Sequence, residues 1–148
     1  MKKHLSVPIA AALLLVASLA IARAQNGSKD HATYISASKA EFKENARAAG
    51  GGVTTAVLSG DPDNGPHATF TKFKPGYDAG MHYHTTDTRI VVIKGAYLYK
   101  DEDGEKRVGP GDYLLVPGGH KHWSGGDKTE GALFYQHSPG KFDFIPVK

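Results

Sequence analysis

Cysteine is absent from this 148-residue chain. No disulfide can brace the fold and no thiolate can bind a metal or attack a substrate, so any metal site must use nitrogen and oxygen ligands. A basic surface is missing too, although the formal net charge is +3. Three of the 18 Lys and Arg residues, Lys2, Lys3 and Arg23, fall within the first 24 positions, which hold no acidic residue; the remainder carries 15 charges of each sign. The excess positive charge therefore belongs to the leader and argues for neither nucleic acid nor an anionic membrane as partner.

That leader has the organisation of an export signal. Met1 to His4 is a short basic stretch, Leu5 to Ile21 is apolar, and Ala22-Arg23-Ala24 supplies a small-x-small cleavage pattern. Residues 1–24 are expected to be a signal peptide, which places the mature protein in the periplasm or outside the cell, without membrane contact after cleavage. The competing reading is an uncleaved anchor, because the apolar run is close to the shortest length that crosses a bilayer. About 124 residues then remain, enough for one domain folding on its own hydrophobic core.

Residues 25–52 read as a polar leader followed by a short helix. Ser38 and Glu41 have the spacing of a capping box, Ala40, Phe42, Ala46 and Ala49 form a modest apolar stripe, and Gly50-Gly51-Gly52 ends the element. A loop lying across the barrel is the competing reading. From Val53 to Lys148 the composition switches to short β-branched and aromatic runs separated by Gly, Pro, Asp and Asn, the pattern of an all-β sandwich or barrel. Strands are expected at Val53–Leu58, Ala68–Phe73, Met81–His84, Arg89–Ile93, Ala96–Lys100, Lys106–Val108, Tyr113–Val116 and Ala132–His137, with a further candidate at Phe142–Val147. The acidic Asp101–Glu105 segment reads as a solvated hairpin, without the ligand spacing of a calcium loop.

Two histidine segments carry the chemistry. In a strand, residues i and i+2 share a face, so His82 and His84 project together while Tyr83 points away. Neutral imidazoles are suited to zinc, iron, manganese, nickel or copper. His122 follows Pro117-Gly118-Gly119, a bend that can aim a histidine inward. Gly76, His82, His84 and Gly95 match the first cupin motif, G-x5-H-x-H-x(3,4)-E-x6-G, with Thr88 where the glutamate belongs. Gly111, Pro117, Gly119 and His122 match the second, G-x5-P-x-G-x2-H-x3-N, with Gly126 in place of the asparagine. The chain thus resembles the cupin superfamily, small single-domain members in particular. The resemblance implies an all-β, jelly-roll barrel (a double-stranded β-helix), His82, His84 and His122 as ligands of a divalent transition metal, and pairing into a homodimer.

Losing the motif's carboxylate leaves three neutral ligands and the ion's full double charge, which favours anionic or enolisable molecules. Asp87 is adjacent to Thr88, but its parity is wrong for a regular strand. His120 reads as a loop residue at the mouth or a hydrogen-bond partner of the ligands, Trp123 as a packing residue or a pocket wall, and Arg89 as an outer-face residue. Gln136, rather than His137, is the expected inward residue of its strand. Two functions fit: a metalloenzyme, oxygenase-like or isomerase- or lyase-like, acting on a small polar or anionic molecule, or a non-catalytic module that binds or senses a small ligand. A purely structural histidine cluster is disfavoured by the cost of burying imidazoles without partners.

Overall fold

The computed structural model describes residues 31–48 and 51–148; the expected signal peptide lies outside the described residues. The described chain contains two antiparallel sheets and no helix. The strands are β1 (Lys43–Glu44), β2 (Val53–Gly60), β3 (His67–Phe73), β4 (Asp78–Tyr83), β5 (Thr88–Gly95), β6 (Tyr97–Asp101), β7 (Gly104–Val108), β8 (Tyr113–Val116), β9 (His122–Gly126), β10 (Ala132–Ser138) and β11 (Ile145–Pro146). One sheet runs β1-β2-β3-β10-β5-β8 and the other β11-β4-β9-β6-β7. Strands far apart in sequence lie side by side in both, β10 between β3 and β5, and β9 between β4 and β6. This is the jelly-roll arrangement expected of the chain.

Alternation along the strands builds the core. In β10, Ala132, Phe134, Gln136 and Ser138 are buried while the residues between them are partly exposed. In β5, Ile90 and Val92 face inward. These side chains meet Tyr97, Tyr99, Val108 and Val116 in the principal apolar cluster, with the Phe134 ring edge-on to Phe73 and Tyr97. A second cluster of Val53, Tyr77 and Ala79 packs against Phe73 and Phe144 nearer the histidines.

The helix expected from Ser38 does not form. Residues 37–39 make a turn, and Lys43–Glu44 pair with Thr54 and Thr55 on the edge of β2. The Ser38 hydroxyl meets the Ser36 hydroxyl, and the Glu44 carboxylate accepts the Gly52 N–H. A helix of about twelve residues is marginal without a strong apolar face, whereas the open edge of β2 offers backbone partners at once. The competing reading, a loop lying across the barrel, is the nearer one, with Lys43–Glu44 added to the sheet as an edge strand.

Phe134 is 1% exposed at the centre of the principal cluster. Phe134→Ala is expected to cost about 3–5 kcal/mol, measured as the shift in urea unfolding free energy; a cost under about 1 kcal/mol would show that the cluster is not the stabilising core.

Candidate metal centre

His82 and His122 are direct cross-strand partners, because β4 pairs with β9 in that register. Both are almost fully buried, and their ring centroids lie 4.3 Å apart. His84, one residue beyond the end of β4, keeps the parity of His82, and its ring centroid is 5.0 Å from that of His82 and 5.6 Å from that of His122. One ligand nitrogen from each residue lies within 4.8 Å of the other two.

Each imidazole is oriented by a backbone carbonyl. His82 Nδ1 lies 2.9 Å from the Gly80 oxygen, His84 Nδ1 2.5 Å from the Asp143 oxygen and His122 Nδ1 3.0 Å from the His120 oxygen. A carbonyl only accepts, so each Nδ1 carries the proton and each Nε2 keeps its lone pair. His122 Nε2 is buried and has no hydrogen-bond partner among the described residues. Such an orphan is costly unless something else fills the role. A divalent cation accepting three imidazole lone pairs fits the donor set, and ligand histidines that give their other N–H to a carbonyl are the usual arrangement.

Local chain geometry explains the anchors. A bulge between Asp78 and Met81 interrupts the β4–β9 ladder; Gly80 sits there at φ 70°, and the Asp78 carboxylate accepts its N–H at 2.8 Å. The bulge brings the Gly80 carbonyl to His82. At the second motif, a Cβ on Gly118 would lie 2.5 Å from the Thr85 carbonyl, and Gly119 N–H donates to the His84 carbonyl at 2.7 Å. Gly118 is needed because the bend rests directly on the loop carrying His84, and Gly119 because its φ is 79°.

Burial holds the imidazoles neutral. Desolvation lowers His82 to about 3 and His122 to about 4, and it lowers His84 as well; in each case a backbone hydrogen bond opposes it in part. Neutral imidazole is the form that binds metal.

The other residues marked by sequence separate clearly. Thr88 and Gln136 are buried and line the cavity beside the histidines. Asp87 turns away, accepting from Gly118 N–H at 3.1 Å and pairing with Arg89 at 3.3 Å, so it is not grouped with the histidines. Strand parity, undisturbed by a local bulge, carries Thr88 inward and Asp87 out. Trp123 packs over Gly125 and donates its indole N–H to Asp78 at 2.7 Å, outside the cavity lining, because alternation in β9 puts it opposite His122. The His120 side chain reaches Asp101, 3.1 Å from Nε2, and touches the site through its carbonyl alone. His137 pairs with Arg89 across β10 and β5, off the buried face.

Two contributions were not foreseen. Asp101, expected in a solvated turn, has a side chain only 7% exposed and accepts from Tyr99 Oη at 2.8 Å as well as facing His120. The Tyr99 bond is the largest influence holding its carboxyl below the usual range. Tyr99 in turn stacks on the His122 ring at 5.4 Å. The second contribution is the segment after β10. Phe144 stacks on His82 at 4.3 Å and 22°, Phe142 lies 5.4 Å from His84, and the Asp143 carboxylate accepts from Thr85 N–H at 2.9 Å and from the Thr85 hydroxyl. The i, i+2 spacing of Phe142 and Phe144 was the available signal for a shared face.

Residues 30–140 match the model of Cupin_7, the ChrR cupin-like domain. The chain belongs to this cupin family. No curated protein matches it. Among solved structures, this cupin is similar to the polyketide cyclase RemF from Streptomyces resistomycificus, at 18% identity and a TM-score of 0.67 over 80% of this chain and 87% of that one. KdgF from Halomonas sp. aligns at 20% identity and a TM-score of 0.55, over 72% and 94% of the two chains. A chain from the structure of Rhodobacter sphaeroides SigE in complex with the anti-sigma ChrR aligns at 17% identity and a TM-score of 0.54; it covers 70% of this cupin but only 50% of that longer chain. At these identities the structures share the fold.

The anchors and titrations generate two expectations. Folded His82 and His122 titrate near 3 and 4, against 6.5 for an unperturbed imidazole. Between those values the unfolded chain binds more protons, so stability rises with pH. Metal-free protein is expected to keep this contribution above about pH 6.5 and to lose it progressively towards about pH 4. A urea midpoint lower at about pH 5 than at about pH 7.5 checks the sign; the midpoint difference should shrink when His82 is replaced by Asn. Separately, Asp101→Ala frees the His120 side chain and is expected to weaken zinc affinity about tenfold, read by competition with a chromogenic chelator. Unchanged affinity would exclude Asp101 from supporting the His122 anchor.

Proposed function

We propose that this chain is an exported cupin that holds a divalent transition metal on His82, His84 and His122 and acts as a metalloenzyme on a small molecule in the adjoining cavity. The observation that carries the reading is the convergence of three lone-pair nitrogens, each oriented by a carbonyl, beside a cavity of about 680 Å³ that His82 and His84 help to line. That volume lies within the range of small-molecule sites. Export is supported by the leader pattern of residues 1–24.

A metal held here would supply Lewis acidity, polarising an oxygen of the bound molecule. The chain's own residues set the surroundings. The neutral imidazoles leave the charge of the ion uncompensated, and Thr88, in the position of the motif's carboxylate, adds none. Thr88 and Gln136 offer hydrogen bonds for orientation, while Phe142 and Phe144 shield His84 and His82 on one side.

A non-catalytic sensing module is the second reading. It is favoured by the absence, among the described residues, of any Asp or Glu from the buried part of the cavity lining, so that none of them offers a carboxylate there as general base. The fold neighbour described as the anti-sigma ChrR agrees with a regulatory reading.

Elemental analysis of protein purified without chelators tests the metal reading. About one transition-metal ion per chain is expected, with most of it lost in His82→Ala and His122→Ala variants whose circular dichroism is unchanged. Metal-free protein that takes up no added zinc, iron, manganese, nickel or copper would overturn it. Stoichiometric metal without turnover of keto acids, sugars, thiols or phenols would select the sensing module.

A further inference from the structure

The cavity walls differ sharply in chemistry, and the difference bears on what fits between them. The inner face of the larger sheet is uncharged and rich in hydrogen-bonding groups. Thr69 pairs with Gln136 across β3 and β10, Thr71 pairs with Thr55 across β3 and β2, and the Thr69 and Thr71 hydroxyls lie 3.1 Å apart. Gln136 is 8% exposed and on the cavity lining, and its amide makes no side-chain hydrogen bond among the described residues. Among the described residues His122 Nε2 is the one buried polar side-chain atom left without a partner, so the Gln136 amide opens onto the cavity, where water or a ligand meets it.

The adjoining wall is aromatic. Phe142 lies edge-on to His67 and tilted against His84, and Phe144 stacks on His82, so rings run without a break from the hydroxyl wall to the histidine cluster. Among the described residues, the Lys, Arg, Asp and Glu side chains on the lining are all exposed. They are Lys39, Glu41, Lys43, Glu44, Arg47 and Asp63, with Arg47 and Asp63 joined at 2.5 Å.

We propose that the cavity takes a neutral or weakly acidic aromatic hydroxy compound, a phenol or enol of about one to three rings, with its hydroxyl edge on Thr69, Thr71 and Gln136 and its ring against Phe142 and Phe144. The proposal rests on the reading of this cavity as a small-molecule site and narrows its occupant. A sugar acid carries hydroxyls on every side, and the Phe142 and Phe144 rings offer them no polar partner; polar groups buried unpaired are penalised. A plain hydrocarbon would leave the Gln136 amide unmet. An aromatic ring with hydroxyls along one edge meets both walls, and rings pack well edge-to-face or offset against Phe.

Calorimetric titration of the full mature chain with 2,7-dihydroxynaphthalene and with D-galacturonate tests the ligand class, on zinc-loaded and metal-free protein, with zinc measured in each sample. The naphthalenediol is expected to bind at least about tenfold more tightly than the sugar acid. Gln136→Leu should weaken the diol about tenfold while leaving the urea midpoint near that of the parent protein; Thr69→Val serves where the first variant is unstable. Tighter binding of galacturonate, no binding of the diol, or full affinity in a folded Gln136→Leu variant would overturn the proposal. Diol binding by protein that takes up no zinc would refute the metal reading and leave this one standing. Zinc uptake without diol binding would do the reverse.

Discussion

Everything about the site depends on one constraint: three imidazoles can be buried together only if each gives its Nδ1 proton to a fixed acceptor. Gly80, His120 and Asp143 supply those acceptors as backbone carbonyls, from a strand bulge, a glycine bend and the segment after the last long strand. With the protons committed outward, the three Nε2 lone pairs have no choice but to face one another. Desolvation then keeps the rings neutral, since charging any of them inside would set it against its neighbours and the surrounding apolar side chains. Orientation, neutrality and convergence are thus consequences of one hydrogen-bonding pattern.

The same pattern links the site to the rest of the barrel. The β4–β9 pairing sets His82 against His122, and the bend at Pro117-Gly118-Gly119 rests on the loop that carries His84. Behind His122, Tyr99 and His120 share the Asp101 carboxylate, so the hairpin end of the neighbouring strand β6 contributes to the position of a ring it does not touch. The segment from Phe142 to Phe144 closes the other side, through its carbonyl on His84 and its rings on His82 and His84. Small displacements in any of these supports would reach the nitrogens, because the interior is close-packed.

The fold and the histidine trio were legible because they depend on local rules. Period-two alternation placed most strands within one or two residues, and the i, i+2 rule put His82 and His84 on one face. Gln136 followed from the same parity. The strap at Lys43–Glu44 was misread as a helix because its capping-box spacing is a local signal, while the edge of β2 that captured it is a tertiary one. Asp101 was taken for a solvated residue because its neighbours Glu102 and Asp103 are, and nothing in that acidic run tells which carboxylate folds under the sheet. Asp143 acts through its carbonyl, a group every residue possesses, so no sequence pattern could mark it.

By itself, then, the sequence determined the donor chemistry, nitrogen without sulfur, the all-β class, and three histidines at spacings fit for one ion. Only the tertiary structure decided which way each ring faces, that no bulge brings Asp87 round to the cavity, and that one wall is aromatic while the other carries hydroxyls and an amide. The physical reason is range. Strand parity and residue type act between neighbours in the chain, whereas burial, carbonyl anchoring and cavity shape arise from segments as distant as His84 and Asp143, which meet only once both sheets have closed.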